Sequence, residues 1–273
     1  MASDKTALGD RMKGYEAAAR FELPHRTYTI ARVDGRAFHS YLRQAEKPFD
    51  FAFMDIMDSV AAALCAEMTG TVFSYAHSDE ISVLLADFGS VHCQPWFGGT
   101  VQKMASIAAA TATAEFNYDA AAAVMGLGLK VPHERATFDA RVFTIPDPVE
   151  VANYFVWRQR DCVRNSVSMA AQAHFPHKRL TGLNGGQMQE LLWSEKGVNW
   201  NDYPDGAKRG RVCRRVTAPE SVTYTDKRTD EERTVDAVRS RWVPEAAPHF
   251  KAEAESWLAE MIPPLPDLRT AAA

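Results

Sequence analysis

Three carboxylates in the N-terminal half of the chain stand where short apolar segments end. Asp34 follows the segment 28–33, and Asp79 and Glu80 lie at the bend between two further apolar segments. Mg²⁺ prefers oxygen ligands and takes one or two carboxylates, sharing the rest of its shell with water and substrate phosphates. Two such ions can hold both the attacking and the leaving oxygen of a phosphoryl displacement. Asp34, Asp79 and Glu80 are therefore candidate catalytic residues and ligands of two magnesium ions.

The residues beside these carboxylates suit a phosphate-bearing substrate. Gly35 would let a metal ion or a phosphate approach the backbone, and its carbonyl is a candidate metal ligand. Ser78 is a candidate donor to a phosphate oxygen, and Lys47 and Lys103 are candidates for a triphosphate because lysine binds phosphate as a point charge. Lys103 is the only Lys or Arg between positions 48 and 129. The alternatives are a plain Asp-Gly turn, a solvated acidic bend and surface lysines.

Hydrophobic periodicity predicts the elements that would position these side chains. Apolar residues recur at helical spacing before Gly70, whereas alternation and β-branched residues mark the strands. The predicted elements are, in order, a strand at 28–33, a helix at about 50–69, a hairpin at 71–85, a helix at about 100–117, a strand at 137–145 and a helix at about 148–173. This order predicts an α+β fold of the ferredoxin-like βαββαβ type, in which the first and third strands are neighbours. Their acidic ends would then converge.

The C-terminal half adds a locally basic segment and a weaker structural signal. The chain of 273 residues has a net charge of −4, yet positions 158–215 carry 11 basic and 5 acidic residues. Arg160 and Arg164 share a helix face, and Lys208, Arg209 and Arg211 belong to a run of five basic residues in eight. These five residues are candidate contacts to RNA phosphates, and a solvated charged face is the alternative. A hairpin at 216–241 and a final helix at about 248–261 are predicted beyond them.

Composition excludes several other classes of protein. No apolar run approaches the ~18 residues that span a bilayer, so no membrane association is expected. The four cysteines are far apart and show no zinc-ligand spacing, which favours free thiols in a reducing cytoplasm.

Five segments in order give a resemblance to a known family. Between about residues 9 and 215, the sequence resembles the tRNA(His) guanylyltransferase superfamily in the segments 32–39 (RVDGRAFH), 46–48 (EKP), 77–80 (HSDE), 138–142 (FDARV) and 157–162 (WRQRDC). The resemblance implies a polymerase-like palm that adds nucleotides to the 5′ end of tRNA in the 3′-to-5′ direction. It also implies ATP or GTP as activating substrate and a homotetramer. By position, Arg36, Phe38 and His39 would join Lys47, Ser78 and Lys103 in lining the nucleotide sites.

One departure from the family pattern bears on the substrate. Eukaryotic tRNA(His) enzymes have His-Ile-Asn-Asn where this chain has Val-Arg-Asn-Ser at 163–166. The chain therefore resembles the guanylyltransferase-like branch, which implies template-dependent repair of tRNA 5′ ends. Addition of G to tRNA(His), a palm-type nucleotide cyclase and a catalytically inactive RNA-binding protein remain alternatives. We expect a palm core at 1–146, followed at 147–273 by the last palm helix and an RNA-contacting extension, in one continuous domain.

Overall fold

The protein forms a mixed α/β structure around one six-stranded sheet. The computed structural model describes residues 6–127, 135–251, 253 and 255–266. Its strands are β1 Tyr28–Gly35, β2 Thr71–His77, β3 Glu80–Ala86, β4 Phe138–Ile145, β5 Arg211–Asp226 and β6 Glu231–Ala246. Its helices are α1 Ala7–Ala17, α2 Phe38–Tyr41, α3 Phe51–Glu67, α4 Val101–Leu127, α5 Pro148–His174, α6 His177–Leu180, α7 Gly185–Lys196, α8 Asp205–Arg209 and α9 Trp257–Met261. Within these described ranges, no helix is long and apolar enough to cross a membrane.

The sheet is antiparallel throughout and has the strand order β4-β1-β3-β2-β5-β6. The expectation that the first and third strands are neighbours is confirmed. Their register sets Asp34 of β1 opposite Glu80 of β3 on one side and opposite Asp139 of β4 on the other. The acidic end of β1 therefore meets the β2–β3 turn, as the strand order requires.

The two faces of the sheet are buried against different helices. Ala31 and Val33 belong to the core beneath α3 and α4, whereas Tyr28 and Ile30 belong to the core beneath α5 and the C-terminal segment. Because successive side chains of a strand point to opposite faces, Asp34 lies on the α5 side of the sheet. The carboxylate site is thus formed between the end of the sheet and α5.

Side-chain caps fix where the helices beside this site begin. Asp50 caps α3 by accepting from the backbone N–H of Phe53 at 2.9 Å, and its second oxygen accepts from the N–H of Glu46 at 3.0 Å. Asp147 caps α5 by accepting from two backbone N–H groups at 2.8 and 3.1 Å. Such caps stabilise a helix start by about 1 kcal/mol. Through its bond to the N–H of Glu46, Asp50 also fixes the conformation of the loop between α2 and α3.

The C-terminal region differs from the sequence prediction. The hairpin is longer than expected, because β5 begins at Arg211 and its first residues also pair with β2. Pro219 lies farther along β5, where the strand pairs with β6 in a two-stranded arm, and such an edge tolerates a residue without a backbone N–H. The predicted helix at 248–261 is reduced to α9. Gln159 of α5 donates to the carbonyl of Pro248 at 2.8 Å and accepts from the N–H of Phe250 at 2.7 Å. These bonds tie residues 248–250 to α5, and this part of the chain has no regular secondary structure.

Candidate active site

Asp34 and Asp79 are brought together by a close contact between β1 and the β2–β3 turn. The N–H of Gly35 donates to the carbonyl of Asp79 at 3.0 Å. A Cβ atom at Gly35 would lie 2.4 Å from the ring of Phe38 and 2.9 Å from the Cβ of Asp79, so only glycine permits this approach. Ser78 has a φ of +50° and turns the chain so that Asp79 leaves the sheet. Its hydroxyl donates to the Asp79 carboxylate at 2.9 Å.

The charge on these two carboxylates is poorly compensated. Burial raises the pKa of Asp34, the neighbouring charge of Asp79 raises it further, and the guanidinium of Arg32 only partly opposes both. Burial also raises the pKa of Asp79 despite its bond from Ser78. Two neighbouring half-buried carboxylates with raised pKa values form a site that a cation would stabilise. Such a pair, with room for water and phosphate oxygens, fits the donor set that Mg²⁺ takes.

Glu80 does not belong to this pair, which corrects the sequence expectation. It is 4% exposed, and its two carboxylate oxygens accept from Nε and an Nη of Arg158 at 2.7 and 2.8 Å. Arg32 approaches the same carboxylate at 2.6 Å and His77 at 3.3 Å. Burial alone would raise the pKa of Glu80, but the bonds and charges of His77 and Arg158 outweigh it, and the net shift is downward. Glu80 is therefore an anchor for α5.

The expected cluster of three acidic metal ligands is accordingly absent. No group of three or more His, Cys, Asp or Glu side chains suited to a metal ion occurs among the described residues. Asp34 and Glu80 lie directly opposite each other on the α5 side of the sheet, but the carboxylate of Glu80 is already bound by Arg158 and Arg32. Asp34 and Asp79 remain as candidate carboxylate ligands, with the carbonyl of Gly35 as a third candidate that stays a prediction.

Addition of Mg²⁺ is expected to raise the melting temperature of the protein, because both carboxyls have raised pKa values and their ionised pair opposes folding at neutral pH. A ligand at a hundred times its Kd stabilises the fold by about 2.7 kcal/mol. Lowering the pH towards the raised pKa values protonates the pair, so the increment should shrink. Thermal melts of the wild type, Asp34→Asn and an exposed control, Asp202→Asn, measure this. Equal increments in all three would exclude the Asp34 site.

A cleft opens beside the β2–β3 turn. It encloses about 620 Å³, including the part open to solvent, between the loop before α3, the turn itself, α5 and α8. Its floor is apolar, with Phe49, Phe53 and Met169 among the lining side chains, and its polar rim includes Ser78 and Lys47. An apolar floor with a few polar groups is the usual construction of a small-molecule site. The cleft lies next to Asp79, and its apolar floor and polar rim have the chemistry expected of a nucleotide site.

The remaining nucleotide candidates from the Arg36–His39 segment fall in two environments. Arg36 and His39 are exposed just after Gly35, on the edge of the carboxylate site. Phe38 is 3% exposed and packs against Tyr41, Phe53, Phe116 and Phe138. In this structure Phe38 belongs to the core, and its assignment to a nucleotide site stays a prediction. Ala37, with a φ of +56°, turns this side chain under Gly35, where it supports the site from below.

Lys103 lies away from the carboxylates within this chain. Its Nζ is 4.5 Å from the ring centroid of Phe97, and its neighbour Met104 lines a small cavity with Thr29 and Leu85. Those residues mark the end of the sheet opposite Asp34, about 16 Å away at ~3.3 Å per strand residue. The part of α4 that reaches the site is farther along the helix. The structure therefore does not bring Lys103 together with Asp34 and Asp79, and its assignment to the nucleotide site stays a prediction.

The predicted RNA contacts also separate into buried and exposed groups. Lys208 is 5% exposed and its Nζ donates to the carbonyl of Asn201 at 2.6 Å, while Arg211 is 7% exposed and pairs with Asp58. Both cations are satisfied inside the protein, so neither is available to a phosphate. Arg209 is partly exposed and pairs with Asp205, on the short helix α8 rather than on a strand. Arg160 and Arg164 are exposed on α5, and Arg164 pairs with Asp161.

Two further residues of α5 were missed by the sequence reasoning. Arg158 holds Glu80, and Asn165 lines the cleft. With Cys162 and Met169, which also line the cleft, they lie at positions i, i+4, i+7 and i+11 of one helix. This spacing defines a single helix face. An arginine on the buried stripe of an amphipathic helix was the signal that could have identified Arg158.

Comparisons with known proteins place this site in a family. A family model described as tRNAHis guanylyltransferase matches residues 9–146. A bacterial tRNA(His) guanylyltransferase-like protein in complex with ATP is 37% identical, with a TM-score of 0.78 over 93% of this chain and 99% of that chain. A bacterial structure of the same description in complex with GTP is 36% identical, with a TM-score of 0.69 over 89% of this chain and 94% of that chain.

A curated relative gives the same assignment. The tRNA(His) guanylyltransferase of Debaryomyces hansenii is 28% identical over 210 residues, which cover 70% of this chain and 74% of that protein. The matched family region contains β1, the β2–β3 turn and β4, and hence Asp34, Gly35 and Asp79. This chain belongs to the tRNA(His) guanylyltransferase family of nucleotidyltransferases.

Proposed function

We propose that this protein is a template-dependent 3′-to-5′ nucleotidyltransferase that adds nucleotides to the 5′ end of tRNA. The observation that carries the proposal is the pair Asp34 and Asp79, which lies beside a cleft with an apolar floor and a polar rim. The similar bacterial structures are described as complexes with ATP and with GTP, which supports these triphosphates as substrates. The Val-Arg-Asn-Ser stretch at 163–166 favours end repair over recognition of tRNA(His) alone.

The strand order supports a palm as the frame of this activity. The first four strands follow the order β4-β1-β3-β2, and α3 and α4 cover the face of the sheet opposite α5. This is the arrangement expected of a ferredoxin-like polymerase palm. We extend the proposal to the division of the chain into a palm core at 1–146 and an RNA-contacting remainder at 147–273.

The chain's own residues would bind and orient the reactants. Lys47 and Ser78 on the rim of the cleft would hold triphosphate oxygens, and Phe49 and Met169 would pack against the base or ribose. Glu80 and Arg158 would keep the β2–β3 turn in place while the nucleotide exchanges. Two Mg²⁺ ions, held by Asp34, Asp79 and the Gly35 carbonyl, would neutralise charge on the transferring phosphates. Positioning and charge neutralisation supply most of the catalysis in phosphoryl transfer.

Two chemical events follow from this arrangement. In the first, the 5′-phosphate of the RNA attacks the α-phosphate of ATP or GTP, and pyrophosphate leaves. In the second, the 3′-hydroxyl of an incoming nucleoside triphosphate attacks the activated 5′-phosphate, and the nucleoside monophosphate leaves. Both events are in-line displacements at phosphorus, so one pair of carboxylates can serve both.

The two-stranded arm formed by β5 and β6 supports a homotetramer, which we include in the proposal. Beyond Arg214, β5 pairs only with β6 among the strands that the structure describes, and Val235 and Val238 are 44% and 73% exposed. An isolated two-stranded hairpin is marginally stable in water. Contacts with other subunits would cover this arm.

Incubation of the protein with labelled nucleoside triphosphates and Mg²⁺ tests the reaction class. We expect the label to be incorporated into a tRNA that lacks its first nucleotide. We expect no labelled product when the tRNA is left out and none with Asp79→Asn. A cyclic nucleotide formed without RNA would point to the cyclase, and RNA binding without any product would point to a binding protein. Addition of G alone, whatever the opposing base, would favour a tRNA(His) guanylyltransferase. Each of these results would contradict the proposal.

A further inference from the structure

A second, wider groove lies on the other side of α5. It encloses about 1180 Å³, including the space open to solvent, between α5 and the segment that follows β6. Its cationic and aromatic lining includes Trp157, Arg160, His249 and Lys251. None of these residues lines the nucleotide cleft or holds the two carboxylates. The groove therefore has a chemistry of its own that nucleotide binding in the cleft does not explain.

Trp157 is the most unusual residue of the groove. It is 53% exposed, although a side chain of this size is normally largely buried. The guanidinium carbon of Arg158 lies 4.4 Å from its ring centroid, and the ring of Tyr154 lies 5.9 Å away. These contacts hold the indole in place at the surface. A fixed, exposed aromatic ring is the feature on which proteins stack an unpaired base.

The charges around Trp157 suit a nucleic-acid backbone. Arg160 is exposed one turn along α5, and Lys251 stands on the facing segment with one acidic neighbour, Glu253, at 4.0 Å. His249 is exposed beside them. A groove with two permanent cations and a stacking ring matches single-stranded RNA better than a duplex, whose bases are already stacked and paired.

The groove is connected to the carboxylate site through Arg158. This residue contacts the ring of Trp157 and also binds Glu80 at 2.7 Å, and Glu80 directly follows Asp79. Arg158 is thus the one side chain between a nucleotide stacked on Trp157 and Glu80, which adjoins the β2–β3 turn.

We propose that unpaired nucleotides of the RNA substrate bind in this groove, with a base stacked on Trp157 and the backbone held by Arg160 and Lys251. This inference rests on the proposed function, which supplies RNA as the substrate.

Trp157→Ala is the first test. Loss of one stacked base should raise the KM for an RNA with an unpaired end about tenfold, within the range known for base–aromatic stacking. The KM for GTP and kcat at saturating RNA should stay unchanged, and Trp157→Phe should retain most of the affinity. Trp193→Ala is the matched control, because Trp193 is 60% exposed on α7, outside the groove. An unchanged KM in Trp157→Ala, relative to this control, would overturn the proposal.

Binding measurements separate this proposal from the proposed function. The RNA carries a fluorescent label and its anisotropy is followed as protein is added, with a single-stranded oligonucleotide and a blunt duplex as the two probes. Trp157→Ala should weaken only the single strand, and an equal loss with both probes would overturn the stacking. The double variant Arg160→Ala, Lys251→Ala should lower the slope of log K against log salt by about 1.4. If the wild type binds the single strand, Trp157→Ala weakens that binding, and no nucleotide is added to any RNA, the RNA-binding groove is supported and the proposed activity is rejected.

Discussion

Asp79→Asn is expected to abolish nucleotidyl transfer while leaving the protein folded. The asparagine keeps the shape of the side chain but removes the charge that would hold a metal ion beside Asp34. Loss of a group that only supports a metal ligand typically costs about 10–100-fold, so loss of the ligand itself should exceed about a hundredfold in kcat. Because burial raises the pKa of Asp79, removing its charge should not weaken the fold in the absence of divalent cations.

Single-turnover addition to a 5′-truncated tRNA at saturating triphosphate measures this effect. Thermal melts without metal supply the check on folding, and Asp202→Asn, at an exposed position outside the site, is the charge-matched control. A rate within about tenfold of the wild type would remove Asp79 from the catalytic pair. A large loss of melting temperature would instead give Asp79 a structural role.

Glu80→Ala is expected to damage the fold rather than the metal site. The side chains of Arg158 and Arg32 are only 6% and 18% exposed, so alanine would remove the nearest carboxylate from two largely buried guanidinium groups. Arg158 would keep Asp161 at 3.2 Å and Arg32 would keep Asp34 at 3.8 Å. Breaking a buried ion pair in this way typically costs about 3–5 kcal/mol. Because the pKa of Glu80 is lowered in the folded protein, its stabilisation is present at neutral pH and is lost as the pH falls through that pKa.

Chemical denaturation of Glu80→Ala, with and without Mg²⁺, measures the change in the free energy of unfolding. Glu195→Ala is the control, because it removes an exposed ion pair with Arg179 that should contribute only about 0–1 kcal/mol. The Mg²⁺ concentration for half-maximal stabilisation should stay near that of the wild type. If Glu80→Ala has the stability of the wild type but is no longer stabilised by Mg²⁺, Glu80 is a metal ligand and this account of it is wrong.

Local patterns predict where in the fold the two candidate carboxylates lie. Asp34 and Asp79 follow strongly apolar strands, and the strand order then fixes which ends meet. Asp79 and Glu80 differ because Asp79 lies in the turn, whereas the carboxylate of Glu80 is bound by Arg158 and Arg32. The role of Glu80 could not be predicted because its partner, Arg158, is 78 positions away along the chain.

The other differences also arise from contacts between distant segments. Phe38 follows a polar turn in the sequence, yet the left-handed Ala37 folds it back into a cluster with Phe116 of α4. Lys208 and Arg211 belong to a run of basic residues that would suit a phosphate backbone. The helix α8 and the start of β5 turn both side chains inward, where Asn201 and Asp58 bind them. Charge along a sequence does not determine exposure when neighbouring elements supply partners.

The measurement that tests templated 3′-to-5′ addition most directly is a base exchange in the tRNA. The substrate lacks its first nucleotide, and the opposing base near the 3′ end is changed in turn to each of the four bases, with all four triphosphates present. Templated addition predicts that the incorporated nucleotide follows the opposing base in every case, and that Asp79→Asn incorporates none. Incorporation of the same nucleotide opposite all four bases would contradict templating.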